Sequence, residues 1–293
     1  MDDYSKAEVL MEALPYICKF HGQKFLIKYG GHAMVNEDAK NWVAKDLVLL
    51  KYVGMNPIVV HGGGPEINNA MKKMGKTPEF IHGLRVTDQE TLDIVKMVLI
   101  GKINGDIVSK LEKYGGKAVG LSGKSGHLIK AKKKLQYLLK DSQKIEVDLG
   151  MVGEVSHIDT KLVDLLVEKN YIPVISPIGV DEYGNDLNLN ADIAAGDIAG
   201  ATGSKKLIMV TDVDGVMEDI TDPSTLHKKV NVEKLEMMIE QGIIQGGMIP
   251  KIEAAINALN KGVDSVHIIN GRIPHAILLE IFTETGIGTM IVK

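Results

Sequence analysis

Two glycine-rich turns hold the residues of this chain best suited to chemistry. Phe25-Leu26-Ile27-Lys28-Tyr29 runs into Gly30-Gly31, and Ile58-Val59-Val60-His61 runs into Gly62-Gly63-Gly64-Pro65. Glycines let backbone N–H groups approach a ligand closely, and a helix starting after such a turn presents unpaired N–H groups and a positive dipole end. Two loops of this kind, one with Lys28 on its strand end, point to binding of an anion such as a phosphate. Farther on, Asn188, Asn190 and Asp192 alternate, so an extended segment sets them on one side, where amides and a carboxylate suit a polar ligand. A blander reading makes Asp192 the N-cap of the small-residue helix behind it. Gly246-Gly247-Met248-Ile249-Pro250-Lys251 opens another helix with a lysine near its start. That charge opposes the helix dipole and is unfavourable unless an anion sits nearby.

Competing motifs fail on spacing. Gly123-Lys124-Ser125 ends like a P-loop, but its first glycine falls on Ala118, inside a strand-like run. The triple glycine does not satisfy G-x-G-x-x-G, because position 67 is Ile67. The histidines show no H-E-x-x-H pairing, and His61 reads as a satisfied turn residue. Cys18 is the single cysteine, which excludes an intrachain disulfide and a Cys-rich metal site and fits a reducing compartment. The 34 basic and 38 acidic residues leave a net charge of −4, which argues against a nucleic-acid surface. With aromatics at 4%, stacking platforms for bases or sugars are not expected. The start MDDYSKAEVL lacks a secretory signal pattern, and no apolar run is long enough to span a bilayer. A cytoplasmic location without membrane attachment is expected.

The elements that position these residues follow from apolar periodicity. Short apolar runs at 25–27, 57–60, 118–119, 172–175, 207–210 and 266–269 read as strands buried on both faces. Between them lie helical stripes at Ile67, Ala70, Met71 and Met74, at Ile252, Ala255, Ile256 and Leu259, and at Leu162, Leu165 and Leu166 behind a cap at Asp159. This alternation predicts an α/β fold with helices on both faces of a parallel sheet. Residues 126–158 read as antiparallel hairpins off that sheet, with Lys132-Lys133-Lys134 at a solvated tip. Residues 1–22 form a helix with an apolar stripe (Leu10, Leu14, Ile17) that Pro15 should kink or split. Turn residues near 176–186 suggest a boundary between lobes at 23–180 and 181–293.

Together, Leu-Ile-Lys28-Tyr-Gly-Gly, His61-Gly-Gly-Gly-Pro-Glu-Ile-Asn, Gly83-Leu-Arg85-Val-Thr-Asp, Asn188-Leu-Asn-Ala-Asp192 and Gly246-Gly-Met-Ile-Pro-Lys251 resemble the amino-acid kinase superfamily. Within it they are similar to the N-acetylglutamate kinases of arginine biosynthesis. The resemblance runs in order from about residue 6 to the end and includes Ile269-Asn-Gly-Arg-Ile-Pro-His-Ala and Gly286-Ile-Gly-Thr-Met-Ile. It implies a three-layer αβα sandwich around a mainly parallel open sheet, of the carbamate kinase-like kind. The implied reaction moves the ATP γ-phosphoryl group, with Mg2+, to the side-chain carboxylate of N-acetyl-L-glutamate. Lys28 and Lys251 match the catalytic lysines and Asp192 the carboxylate that orients them, with Gly30, Gly31 and Gly62 as phosphate loops. Arg85, Asn188, Asn190, Gly63 and Gly64 match the amino-acid site. The nucleotide is expected near Asp212, Val213, Asp214, Gly215, Val216, Met217, Ile243, Ile244 and Gln245.

The N-terminal helix resembles the one through which arginine-sensitive members interlink dimers into hexamers. Tyr16, His267, Glu280, Gly286 and Gly288 match their L-arginine site. Where related enzymes often carry a lysine for the effector's carboxylate, this chain has Glu218-Asp219, so inhibition there is weaker or uses another donor such as Lys205 or Lys206. The alternatives are a sister kinase acting on glutamate, an aminoadipate derivative, carbamate or a nucleoside monophosphate, a nucleotide-binding regulator without turnover, or a dinucleotide oxidoreductase.

Overall fold

Strands that are apolar on both faces must be covered on both, and the chain does this with two helical layers. In a computed structural model the described residues are 3–34, 36–81, 83–140 and 143–293; positions 1 and 2 of the expected N-terminal helix lie outside them. Among the described residues the main sheet has eight strands, in the order Lys229–Asn231, Thr289–Val292, Ser265–Asn270, Lys206–Thr211, Lys24–Tyr29, Asn56–His61, Ile172–Ser176 and Ala118–Ser122. Every pairing is parallel except that of Ser265–Asn270 with Thr289–Val292. Lys24–Tyr29 is the seam, since it pairs with Asn56–His61 from the first half of the chain and with Lys206–Thr211 from the second. This is the mainly parallel α/β sandwich the periodicity predicts.

Side chains alternate across each strand and so divide the core in two. Phe25, Ile27, Tyr29 and Val59 pack with helices Glu37–Tyr52, Gly64–Lys73, Asn104–Lys113 and Ala276–Phe282. Leu26, Ile58, Val60 and Met209 pack with helices Lys161–Glu168, Ala191–Ala201, Val232–Glu240 and Ile249–Asn260. Lys28 shares the parity of Leu26. It therefore points to the face covered by Ala191–Ala201, which carries Asp192, and by Ile249–Asn260, which carries Lys251. Those two helices lie against each other through small residues. At Gly196 an added Cβ would stand 2.7 Å from the Ala254 carbonyl oxygen, so only glycine permits this approach.

The interval 126–158 gives antiparallel pairs, Ile129–Lys133 with Gly153–Ile158 and Gln136–Lys140 with Gln143–Val147, but the first pair belongs to a second sheet of four strands that also takes in Ile178–Val180, paired parallel, and Asp186–Asn188, so the appendage is larger than expected. Several expectations change in detail. The helix Asp3–Phe20 runs through Pro15 without a break. Lys132-Lys133-Lys134 is not a hairpin tip; Lys132 and Lys133 lie on a strand, solvated, paired with Glu154 at 3.0 Å and Asp148 at 2.8 Å. In Lys161–Glu168 the buried face is Val163 and Val167, not Leu165, which is 51% exposed, and the cap position is Thr160 rather than Asp159. Met74 is the C-cap of its helix and is exposed, so the buried stripe there is shorter than expected. Among the described residues no helix is long and apolar enough to cross a membrane.

Gly196→Ala should push the two small-residue helices apart. We expect a loss of about 1–3 kcal/mol, the usual range for overpacking, read as a lower midpoint in urea unfolding. A wild-type midpoint would show that this contact does not set the spacing.

Candidate active site

All the parallel strands around the seam end on the same edge, and their following loops build one cleft. The cavity, of about 270 Å³, is lined by Lys28, Gly30, Gly31, Gly62, Gly63, Gly64, Arg85, Asn188, Asn190 and Asp192, with Phe80, Leu84, Leu99, Val152 and Pro177 among its apolar walls. Sequence elements more than a hundred residues apart thus converge on one cavity. The convergence of 188–192 has a different local cause, though. The strand stops at Asn188, and Asn190 is the N-cap of Ala191–Ala201, its side-chain oxygen accepting from the N–H groups of Asp192 at 2.9 Å and Ile193 at 3.1 Å. Asp192 is therefore not the cap. Its carboxylate is free to face the lysines.

At the centre, Lys28 Nζ lies 2.8 Å from Asp192 Oδ1 and Lys251 Nζ donates to Oδ2 at 2.9 Å. The Lys28 and Asp192 side chains are only 8% and 11% exposed. Burial by itself raises the Asp192 pKa, but the charges and hydrogen bonds of Lys28 and Lys251 outweigh it and hold it down at about 2. The lysine at the start of Ile249–Asn260 has the neighbouring anion that its position required. Two ammonium groups against one carboxylate leave the cluster cationic, which is what an incoming polyanion needs.

Arg85 adds a third cation. It is buried, and burial lowers its pKa. Its Nη2 donates to Asn68 Oδ1 at 2.6 Å, its Nη1 faces Met71 Sδ at 3.2 Å, and its guanidinium lies 4.7 Å from the Phe80 ring centroid. Among the described residues no carboxylate pairs with it. A buried guanidinium held by an amide and an aromatic face, with no counter-ion of its own, is built to receive one. Asn188 stands alongside, its Nδ2 donating to Thr87 Oγ1 at 3.2 Å, while Thr87 donates to the Arg85 carbonyl at 2.8 Å. Asn68, Phe80 and Thr87 had no assigned role in the sequence. Asn68 lies in the quoted Pro-Glu-Ile-Asn block, four residues after Gly64 on its helix, and that spacing was the available signal.

The stretches 212–217 and 243–245 stand outside this cavity. The first follows strand Lys206–Thr211; Gly215 and Val216 are buried, Val216 N donates to Thr289 Oγ1 at 2.8 Å, Met217 bridges to Leu226, and Asn270 donates to Asp214 Oδ1 at 2.7 Å. Asp212 is exposed and Val213 half-buried. In the second stretch Ile244 is buried, while Ile243 and Gln245 are exposed, ahead of the helix that carries Lys251.

A second cavity, of about 160 Å³, opens between the N-terminal helix and the end of the chain. It is lined by Tyr16, Lys19, Lys206, Lys228, His267, Glu280, Glu284 and Gly286. Glu280 Oε1 meets His267 Nδ1 at 2.6 Å, and Oε2 accepts from the N–H groups of Ile287 at 2.8 Å and Gly288 at 3.0 Å. Burial raises the Glu280 pKa, but these partners bring it below the usual carboxylate value. Burial pulls Lys206 down to about 8, with Glu280 acting against it. Gly288 acts through its N–H and does not line the cavity. Glu218 and Asp219 do not line it either. Glu218 pairs with His227 and Lys234, so the acids expected to repel a carboxylate there are turned elsewhere, and Lys206 and Lys228 supply cations.

Asp192→Asn removes the shared anion from two enclosed ammonium groups. We expect a stability loss of about 3 kcal/mol, as for one-sided removal of a buried ion pair, and a larger rise in melting temperature with added pyrophosphate than the wild type shows. A depressed carboxyl contributes above its unfolded value near 3.8 and loses that contribution only as the pH falls toward about 2. The mutant deficit should therefore be full at pH 5 and shrink below pH 4. A deficit constant from pH 5 to pH 2 would contradict the pairing.

Comparison with known proteins gives a consistent picture. The amino acid kinase family profile matches residues 23–270. An acetylglutamate kinase of Methanococcus maripaludis (strain S2 / LL) is 81% identical over 293 residues, 100% of both chains. One from Methanocaldococcus jannaschii is 68% identical over 289 residues, 98% of this chain and 96% of its own. Among solved structures, N-acetylglutamate synthase from Neisseria gonorrhoeae complexed with coenzyme A and N-acetyl-glutamate has a TM-score of 0.84 at 25% identity, covering 98% of this chain and 63% of the synthase. The same synthase with coenzyme A and L-arginine has a TM-score of 0.81 at 25% identity, covering 98% of this chain and 65% of the synthase. Carbamate kinase from Giardia lamblia bound to AMP-PNP shares the fold, with a TM-score of 0.64 at 16% identity over 93% of this chain and 99% of its own. With its profile match over residues 23–270 and relatives this close over their whole length, the chain belongs to the amino acid kinase family.

Proposed function

We propose that the chain transfers the γ-phosphoryl group of ATP to the side-chain carboxylate of N-acetyl-L-glutamate, giving N-acetyl-L-glutamyl 5-phosphate in arginine biosynthesis. The full-length acetylglutamate kinase relatives support this. The observation that carries it is a cleft that brings together Lys28, Asp192 and a buried Arg85 with which no carboxylate among the described residues pairs. Two anions must meet in this reaction, and the site answers with three cations and one carboxylate. A substrate carboxylate oxygen attacks the γ-phosphorus, the bond to the bridging oxygen breaks, and ADP leaves. The attacking group is already ionised at neutral pH, so no general base is required.

Each residue has a role that fits its surroundings. Lys28 and Lys251 offset charge on the equatorial oxygens of the transferred group, and Asp192 keeps both ammonium groups in place through the transfer. The N–H groups of Gly30, Gly31, Gly63 and Gly64 add directed donors; that of Gly62, expected to join them, is instead given to the Tyr29 carbonyl at 2.9 Å, so Gly62 shapes the loop without donating to the phosphate. Arg85 clamps the α-carboxylate of the amino acid with its planar fork, and Asn188 and Asn190 meet the amide end. Of the residues lining the cleft, Asp192 alone has a carboxylate, and the two lysines occupy it. Mg2+ would enter with the nucleotide rather than on protein carboxylates and would supply further charge neutralisation. We assign residues 23–180 to the amino-acid lobe and 181–293 to the nucleotide lobe, with ATP along 212–217 and 243–245. The single exposed, free Cys18 suits a reducing cytoplasm.

L-Arginine as feedback inhibitor and a hexamer made of three dimers complete the reading. The second cavity is lined by the acidic Glu280 and Glu284 and the basic Lys19, Lys206 and Lys228, charges of both signs that suit a zwitterion with a cationic side chain. On the helix Asp3–Phe20, Leu10, Met11 and Leu14 are 72%, 63% and 45% exposed, an apolar stripe left uncovered by its own chain.

A coupled ADP-release assay over N-acetyl-L-glutamate, L-glutamate, N-acetyl-L-aminoadipate and carbamate tests the reaction. Turnover should be greatest with N-acetyl-L-glutamate, and preference for another acceptor overturns the assignment. Lys28→Ala and Lys251→Ala should each lower kcat by about 10²–10³, the effect of losing one preorganised donor, with the fold intact by circular dichroism. Arg85→Lys should raise KM for the amino acid and leave that for ATP nearly unchanged, because lysine keeps the charge but not the bidentate fork. Sedimentation should give a hexamer for the whole chain and a dimer for a chain beginning at Gly22, with arginine inhibiting only the former. A whole-chain dimer indifferent to millimolar arginine would contradict both halves.

A further inference from the structure

His61 ends the strand that feeds the triple glycine and is fully buried, yet nothing in the phosphoryl-transfer chemistry above uses it. Its Nδ1 is 2.9 Å from the carbonyl oxygen of Gly62. Its Nε2 is 3.0 Å from Ser176 Oγ and 3.2 Å from Asn104 Nδ2. These partners settle the tautomer. A carbonyl only accepts, so Nδ1 carries the proton; an amide NH2 only donates, so Nε2 accepts. Asn104 is itself fixed, donating to the Val174 carbonyl at 2.9 Å. Burial lowers the imidazole pKa to about 4, so it stays neutral in ordinary buffers.

Gly62 is gripped twice, since its N–H donates to the Tyr29 carbonyl at 2.9 Å while its own carbonyl accepts from His61. Across a planar trans peptide the carbonyl of Gly62 and the N–H of Gly63 point in opposite directions. The carbonyl faces the buried His61 network, so the Gly63 N–H points away from that network, and Gly63 lines the cleft. Among the described residues that N–H has no acceptor. On its other side Gly63 is pressed against a π-helical turn, Met97–Ile103, where an added Cβ would collide with Ile103 Cδ1 and stand 2.7 Å from Leu99 Cδ2.

We propose that His61 is a positioning residue for phosphoryl transfer: by holding the Gly62 carbonyl it aims the Gly63 N–H at the oxygens of the transferred group. The inference rests on the phosphotransfer reading and adds a residue to it. A donor fixed before the reaction stabilises developing charge without reorganisation, whereas a peptide free to rotate does not.

Wild-type turnover of N-acetyl-L-glutamate, measured first, bears on the functional reading alone. Two further measurements bear on His61. In protein labelled with 15N-glycine, ADP with aluminium fluoride should shift the Gly63 amide resonance, and an unmoved Gly63 resonance overturns the proposal. In steady-state kinetics His61→Leu should lower kcat about 100-fold with both KM values changed by less than about threefold. His61→Asn, which keeps an N–H donor near the Nδ1 position, should recover at least about tenfold of that loss. Equal losses in the two variants, or a loss carried by KM, would indicate a merely structural histidine and overturn the proposal. Should the leucine variant not fold, His61→Gln takes its place, since its amide reaches the Nε2 position and leaves the Gly62 carbonyl unheld.

Discussion

A single carboxylate shared by two ammonium groups is the constraint around which the rest of this molecule is arranged. Asp192 is enclosed, and burial by itself raises its pKa; Lys28 and Lys251, which contact it from different elements, more than offset this. The lysines are equally dependent on it, because like charges this close repel. The cluster stays cationic, so it is completed by a ligand with more negative charge than the protein supplies.

That requirement explains features of the fold that are otherwise incidental. Lys28 lies on the strand that joins the two halves of the sheet, with the parity that faces Asp192. Asn190 takes the capping role and thereby releases the carboxylate two residues later. Gly196 lets the helices of Asp192 and Lys251 approach until their first turns share one ion cluster. Fold stability and the geometry for transfer are thus carried by the same contacts in this region.

Much of this was legible in the sequence, for a local reason. Glycines after strands, a lysine on a strand end and a lysine misplaced against a helix dipole each announce themselves within a few residues. Buried parallel strands read as apolar runs for the same reason. What could not be read depends on distant partners. Asn68, which holds Arg85, lies 17 residues before it on another element, and the π-helical turn at Met97–Ile103 looks like ordinary helix in its residues. His61 is satisfied, as its place in the turn suggests, but the partners of its Nε2, Asn104 and Ser176, lie 43 and 115 residues away and leave no local mark. Glu218 and Asp219 looked like a charge conflict at the second cavity, and only the folded chain turns them away and brings Lys228 in. Pro15 illustrates the opposite error, since a strong local breaker is overridden within the helix Asp3–Phe20.

The central claim is that Asp192 acts on transfer through the two lysines and not directly. A double-mutant cycle on kcat tests it, using Asp192→Asn, Lys28→Ala and the double variant with saturating ATP and N-acetyl-L-glutamate. If Asp192 works by orienting Lys28, removing the lysine costs much less once the carboxylate is gone, and the double variant is scarcely slower than the slower single one. If the two losses multiply, Asp192 and Lys28 act independently, and the shared-carboxylate account is wrong.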